Sequence, residues 1–271
     1  MKSCIFNLSG VLVDKFYIMN THCLFKTFDK CKFVIPHNIY NESAHFDSKY
    51  MIQNIFLENS LLQQWYLKNN EYPMLETDSS IYNNMFNESL LDEIEDNLLV
   101  NDKSKFIINY VKSKNYNVGV TSNYNYNITN TIVNKLSNQN IEIDYFSFYE
   151  NYKLRNNPYQ IYDNIINLKS EDVKNIIVID NTLEGVKRGL KSGCKTIAVV
   201  DGSPLMNIFT KQMLGQYDRL ELSHPNSFQS VGNYNRYYYE YQNKIKKCKQ
   251  KFNEIGCEHI IDDLSDLQYL I

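Results

Sequence analysis

Polar residues that could contact a phosphate group stand where predicted strands end or just beyond them. They are Asn7, Thr121, Arg155 and Asn181. A hydroxyl and a guanidinium group can hold phosphoryl oxygens through hydrogen bonds and charge. The amide of Asn7, by contrast, is a poor nucleophile and offers no negative charge to a metal ion. The pattern thus combines groups that can hold an anion with an amide that is only weakly reactive.

The elements that must position these residues alternate between short apolar strands and helices. Strands are predicted over residues 2–8, 117–122, 145–149, 175–180, 195–200 and 258–261, and helices over 103–114, 127–138, 158–168, 182–192, 242–255 and from 265 onward. This alternation predicts an α/β fold with a Rossmann-like parallel sheet, whose site lies at the carboxyl ends of the strands. Residues 205–240 are predicted to be irregular and to end in a Tyr-rich segment, 234–241.

The stretch from residue 15 to 100 interrupts the alternation. Its apolar residues recur at helical spacing over 16–30, 47–70 and 81–99, and it contains no glycine. We therefore predict an all-helical cap domain over 15–100, inserted into a core formed by residues 1–14 and 101–271.

Composition excludes several classes of partner. The formal net charge of -3 gives no electrostatic reason to expect nucleic acid. No segment approaches the roughly 18 to 20 apolar residues of a membrane span. The six cysteines contain no CxxC pair, so neither a zinc site nor a disulfide framework is indicated. We expect a cytoplasmic protein with no nucleic-acid or membrane partner.

The order and spacing of the residues at the strand ends resemble the motifs of the haloacid dehalogenase (HAD) superfamily. There the matching positions hold a nucleophilic aspartate, a serine or threonine, a lysine or arginine, and an acidic pair that binds Mg²⁺. Here Asn7 stands at the position of the nucleophile.

Within that superfamily the chain resembles the phosphonoacetaldehyde hydrolase (phosphonatase) branch. Ser9 stands where most HAD enzymes carry a second aspartate, and phosphonatases also have a small residue there. The run Val118 to Tyr124 resembles the family's Ile-Gly-Ser-Thr-Thr-Gly-Tyr. The tail Lys244 to Leu270 resembles the family's closing helix, strand and helix.

The resemblance implies that Thr121, Ser122 and Arg155 hold a phosphate group, with Asn7 and Ser9 at the catalytic positions. A match without gaps places Asn181 and Gly185 at the two metal-binding acids, so both carboxylates are lost.

A shift of one residue instead recruits Asp180 and Glu184, which keep the four-residue separation, as Mg²⁺ ligands. Both matches stay open.

Phosphonatases also use a cap lysine that forms a Schiff base with the aldehyde. Lys49 lies within one residue of the expected position, although the family's nearby histidine has no clear counterpart. A lone helical lysine is usually solvated, so the catalytic and the solvated interpretations of Lys49 both stand. Asp14 is interpreted as a turn and loop acid, not a metal ligand.

Two functional hypotheses follow. The first is a HAD-like protein that has lost hydrolysis and keeps binding of a small phosphorylated or phosphonate ligand, because carboxylates are missing at Asn7, Asn181 and Gly185. The second is an active Mg²⁺-dependent hydrolase of phosphonoacetaldehyde or a phosphate ester. A scaffold acting through the cap or the Tyr-rich segment is a third class that the sequence does not separate from the first. The resemblance also implies a homodimer through the cap helices.

Overall fold

The structure, a computed structural model, describes residues 1–36, 47–149, 157–206 and 231–271, without the side chains of Phe16 and of residues 231–238. Its strands are β1 (Lys2–Asn7), β2 (Tyr116–Thr121), β3 (Tyr145–Ser147), β4 (Ile176–Asp180), β5 (Lys195–Val199) and β6 (His259–Ile261). They form one sheet in the order β3-β2-β1-β4-β5-β6, and every pairing is parallel. The predicted α/β fold with a Rossmann-like parallel sheet is confirmed.

The centre of the sheet is apolar on both faces. All five residues of β4 are buried, as are the last five of β1. Such runs are typical of parallel strands that are covered on both sides. Because β1 lies between β2 and β4, the carboxyl ends of these three strands are neighbours: Asn7 pairs with Thr121, and Phe6 pairs with Ile179. The sheet therefore brings the predicted site positions to one edge.

Helices lie both between β1 and β2 and after β2. Between β1 and β2 lie α1 (Ile18–Lys30), α2 (Ser48–Phe56), α3 (Asn59–Asn69), α4 (Leu75–Asn97) and α5 (Ser104–Ser113), and the rest are α6 (Tyr126–Asn138), α7 (Tyr159–Asn167), α8 (Leu183–Lys191) and α9 (Val231–Glu254). Helices α1 to α4 enclose an aromatic cluster. In it the rings of Phe56 and Tyr82 meet edge to face with centroids 5.1 Å apart.

The chain leaves the core and returns to it at one place. Val13 forms a β-bridge with Val100, and the Asn101 N–H donates to the Leu12 carbonyl at 2.9 Å. The helical insertion is thus attached through two adjacent connections. Its extent as a separate cap domain over 15–100 stays a prediction.

One predicted helical stretch is two helices. Residues 47–70 divide into α2 and α3, because Glu58 adopts an extended conformation with ψ 128. At the end of α2 the Leu57 N–H donates to the Asn54 carbonyl and the Glu58 N–H donates to the Ile55 carbonyl, each at 3.1 Å. Neither glycine nor proline marks the break, so the sequence carried no local signal for it.

The prediction of irregular structure up to residue 240 is wrong for its last ten residues, because α9 begins at Val231 and not at 242. Tyr241, Ile245, Cys248 and Phe252 recur at helical spacing and pack in one apolar cluster. This packing extends the helix backward into the Tyr-rich segment.

Smaller differences from the predicted helices occur at the start of α1 and at the end of the chain. Helix α1 begins at Ile18 after a 3₁₀ turn at Lys15–Tyr17, and the last element, Leu264–Tyr269, is a 3₁₀ helix. No helix in the described parts of the chain combines the length and apolar character needed to cross a membrane.

Candidate functional site

Asn7 and Asn181 contact each other at the carboxyl ends of β1 and β4. Asn7 Nδ2 donates to Asn181 Oδ1 at 2.8 Å and to the Ser9 carbonyl at 2.9 Å. Asn181 Nδ2 in turn donates to the Gly202 carbonyl at 2.7 Å. Both amides are buried, with Asn7 3% exposed and Asn181 0% exposed. Two neutral groups therefore satisfy each other where two buried carboxylates would repel.

Asp180 precedes Asn181, but its carboxylate faces the start of α8. Its Oδ1 accepts from the N–H and from the hydroxyl of Thr182, each at 2.8 Å. A Cβ on Gly185 would lie 1.8 Å from Asp180 Oδ2, so only glycine fits there. Burial raises the pKa of Asp180, and the charge of Arg188 opposes that shift.

The two matches that the sequence left open can now be compared. Neighbouring side chains at the end of a strand point in opposite directions, and it is Asn181 that faces Asn7. Glu184 forms an ion pair with Lys187 at 2.7 Å. The geometry thus agrees with the match without gaps and does not place Asp180 against Asn7.

Mg²⁺, which the HAD resemblance implies, does not fit these residues. This ion binds chiefly through carboxylate and phosphate oxygens. Asn181 Oδ1 already accepts from Asn7, and Asp180 Oδ1 accepts from Thr182. Over the described ranges, no three His, Cys, Asp or Glu side chains form a group that could hold a metal ion.

The predicted phosphate-binding residues have different surroundings. Thr121 pairs with Asn7 in the sheet and is 6% exposed, so it lies at the predicted position. The Ser122 hydroxyl accepts from Thr129 Oγ1 at 2.8 Å and from the Tyr124 N–H at 3.1 Å, which ties it to the start of α6. Arg155 lies outside the described residues.

Ser9 is held by two tyrosines that the sequence analysis did not assign to the site. The Tyr17 hydroxyl donates to the Ser9 carbonyl at 3.1 Å, and Ser9 Oγ lies 3.1 Å from the Tyr124 hydroxyl. Asn20 Nδ2 also donates to the Tyr124 hydroxyl. Burial raises the pKa of both phenols, so both are neutral near pH 7.

Asp14 holds the start of α1. Its carboxylate accepts from the N–H of Met19 at 2.8 Å, from the N–H of Asn20 at 3.2 Å and from Asn20 Nδ2 at 2.8 Å. These bonds match the interpretation of Asp14 as a turn acid. Burial raises its pKa from 3.8 to about 6, although the hydrogen bonds from Met19 and Asn20 lower it.

The raised pKa of Asp14 predicts a pH-dependent stability. A carboxyl group with a higher pKa in the folded state binds its proton more tightly there, so its contribution is full below pH 3.8 and is lost as the pH rises through about 6. This loss amounts to about 2 to 3 kcal/mol. We expect the difference in unfolding free energy between the parent and Asp14→Asn, measured by urea denaturation, to change by that amount between pH 4 and 7 (~3 units).

Asp29→Asn changes an exposed carboxyl on the same helix and serves as the control. Its stability should run parallel to that of the parent over this pH range. Parallel curves for Asp14→Asn as well would contradict the prediction.

Lys49 lies in the first turn of α2 and is exposed, while Met51 and Ile52 beside it are buried. A Schiff-base amine needs burial or a cationic neighbour to lose its proton near neutral pH. The exposure of Lys49 is typical of the solvated alternative.

Tyr17, Asn20 and Tyr124 are the residues that sequence reasoning missed. Tyr124 belongs to the run that resembles the phosphonatase motif, so its position carried a signal. Tyr17 and Asn20 fell in a stretch interpreted as a cap helix. Only the acidic residue Asp14 ahead of that helix indicated a capped start.

Comparison with known proteins agrees with this architecture. No family model matches the chain. A phosphonoacetaldehyde hydrolase from Bacillus cytotoxicus is 20% identical over 168 residues, which is 62% of this chain and 56% of that protein. The match thus spans just over half the length of this curated relative.

Solved structures match over more of the chain. A phosphonoacetaldehyde hydrolase-like protein from Oleispira antarctica superposes with a TM-score of 0.82 at 15% identity, over 99% of this chain and 90% of that one. A HAD hydrolase of family IA, variant 3, from Entamoeba histolytica gives a TM-score of 0.58 at 13% identity, over 79% and 89%. The chain has the HAD fold. The predicted resemblance to the HAD superfamily and its phosphonatase-like branch is confirmed.

Proposed function

We propose that this HAD-fold chain has lost hydrolysis and keeps recognition of a small phosphorylated or phosphonate ligand. The observation that carries the proposal is the hydrogen bond from Asn7 Nδ2 to Asn181 Oδ1. It joins two neutral amides at the positions that the HAD resemblance assigns to the nucleophile and to a metal-binding acid.

The chemistry of the amide supports the loss of hydrolysis. A carboxylate attacks through an oxygen lone pair and forms a covalent intermediate, whereas an amide nitrogen has its lone pair delocalised. Removal of a nucleophile costs several orders of magnitude in rate. Ser9 does not take over this role in the observed geometry, because Tyr124 contacts its hydroxyl and Tyr17 its carbonyl.

Two features support ligand recognition. Thr121 lies beside Asn7 at the strand ends, where a hydroxyl can donate to a phosphate or phosphonate oxygen. The matching relative acts on a phosphonate according to its name, phosphonoacetaldehyde hydrolase. Arg155 is the proposed cationic partner. A cytoplasmic location, the cap domain over 15–100 and a homodimer through the cap helices belong to the same proposal.

Calorimetry and turnover assays test it together. We expect inorganic phosphate or methylphosphonate to bind equally in MgCl₂ and in EDTA, and Thr121→Val to weaken binding about tenfold, the effect of one lost hydrogen bond. We expect no turnover of phosphonoacetaldehyde or p-nitrophenyl phosphate above background. Thr131→Val changes a threonine on α6 whose hydroxyl bonds to the Asn127 carbonyl, and it should leave binding unchanged. Turnover at an ordinary enzymatic rate that requires Mg²⁺ and is abolished by Arg155→Ala would overturn the proposal.

The sequence match to phosphonoacetaldehyde hydrolase favours one alternative, an active hydrolase. That protein would use Lys49 as its imine-forming amine and Asp180 or Glu184 as metal ligands. Borohydride reduction in the presence of phosphonoacetaldehyde would then attach the substrate to Lys49, and mass spectrometry would find the adduct. Without that adduct and without Mg²⁺ binding the alternative fails.

A further inference from the structure

Two tyrosine rings occupy the space beside Ser9. Tyr17 and Tyr124 are 3% and 7% exposed, and Ser9 is 7% exposed. The Tyr17 hydroxyl bonds to the Ser9 carbonyl and also interacts with the side chain of Asn181. One phenol therefore contacts both Ser9, in the loop after β1, and Asn181, after β4.

The surrounding backbone is shaped to admit the ring of Tyr17. A Cβ on Gly10 would lie 2.8 Å from Tyr17 Cε2, so glycine at this position leaves the room that the ring needs. Gly10 itself has φ +83. A larger residue at this position would push the ring away from Ser9.

The segment that carries Tyr17 is held in an unusual conformation. Asp14 and Tyr17, at the two ends of the 3₁₀ turn, have φ values of 50 and 56. Residues other than glycine rarely adopt this left-handed region, and clusters of such residues occur at sites that switch. Rotation at these two residues to ordinary φ values would relieve the strain and move the ring.

We propose that Tyr17 is a built-in plug of the strand-end site, which opens locally when the turn from Asp14 to Tyr17 rearranges. When Tyr17 withdraws, a small phosphate or phosphonate can enter the site. This identity of the ligand rests on the proposed function. Because Tyr17 immediately precedes α1, the plug also connects the site to the first helix of the insertion.

Thiol labelling of Ser9→Cys, resolved by peptide mass spectrometry after exposure to N-ethylmaleimide, measures the opening directly. We expect the introduced thiol to react roughly tenfold faster when Tyr17→Ala is added, since local opening no longer limits access. Tyr17→Phe keeps the ring and loses the hydroxyl, so it should give a smaller increase. Tyr110→Ala is the matched control, because its hydroxyl also bonds to a backbone carbonyl, that of Gln268, at 3.1 Å.

The native Cys23, which is 0% exposed, reports global unfolding in the same sample. A plug requires the thiol of Ser9→Cys to react faster than Cys23 under native conditions. Equal reactivity of these two thiols, or an unchanged rate in Tyr17→Ala while Cys23 stays protected, would overturn the proposal. If Tyr17→Ala unfolds, the comparison with Cys23 in the single variant and the Tyr17→Phe rate still decide the question. No ligand is used, so failure of phosphate binding leaves this result unaffected.

Discussion

We expect Asn7→Asp to destabilise the protein by about 3 kcal/mol in the absence of a divalent cation, the magnitude of an unpaired buried charge. The parent side chain donates from Nδ2 to two acceptors, Asn181 Oδ1 and the Ser9 carbonyl. A carboxylate oxygen in that place faces two oxygens and loses both hydrogen bonds. At 3% exposure, water does not compensate for the loss.

The double variant Asn7→Asp, Asn181→Asp tests whether the destabilisation comes from buried negative charge or from a simple packing defect. It places two carboxylates together, so we expect it to be less stable than either single variant in EDTA. Excess MgCl₂ should restore part of that stability by binding the folded state. The parent should show no response to MgCl₂, because its two amides already satisfy each other.

Urea denaturation in EDTA and in MgCl₂ measures all of these effects. Asn117→Asp makes the same chemical change near the amino end of β2, where the side chain is half-buried, and should cost less than 1 kcal/mol (~0.5). An Asn7→Asp variant as stable as the parent in EDTA would contradict the amide pairing. A double variant that gains neither Mg²⁺ binding nor turnover would mean that the site has diverged beyond these motifs.

Gly202→Ala should be among the most damaging single substitutions, with a cost of about 4 kcal/mol. Gly202 has φ +79, and a Cβ there would lie 2.0 Å from the Gly10 carbonyl oxygen. That oxygen is a backbone atom, so no side-chain rotation relieves the clash. Gly202 also accepts the hydrogen bond of Asn181 Nδ2, so the distortion reaches the amide pair.

Gly256→Ala is the matched control. Gly256 has φ +85, and nothing lies within 4 Å of a Cβ built on it. Gly256→Ala should reduce the unfolding free energy only by the cost of placing alanine in a left-handed backbone conformation, about 1 kcal/mol. Thermal and urea denaturation compare the two variants. Equal losses of stability in both variants would show that the close approach of Gly202 to the Gly10 carbonyl adds nothing to the cost of the substitution.

Much of the fold could be predicted from local pattern. The continuous apolar runs of β1 and β4 indicated buried parallel strands, because both faces of such strands are covered. The break between α2 and α3 and the early start of α9 could not be predicted. They depend on packing, such as that of Tyr241 and Ile245 in a cluster assembled from several elements.

The position of Tyr17 beside Ser9 had no signal in the sequence. Tyrosine rarely adopts φ near 56, so local preference gave no reason to expect Tyr17 to turn back toward the strand ends. The turn forms because Asp14 accepts hydrogen bonds from Met19 and Asn20 and because Gly10 leaves room for the ring. These contacts form only once the loop has folded, so the residue types of the turn do not reveal them.

The sequence by itself determined the residue types near the strand ends: it places an amide at position 7 and a glycine at position 185, and no fold can turn them into carboxylates. Only the tertiary structure decided which of Asp180 and Asn181 contacts Asn7, because adjacent side chains at a strand end diverge and the pairing of β4 with β1 sets which one faces it. Asp180 is retained as a residue type but is turned toward Thr182 and α8.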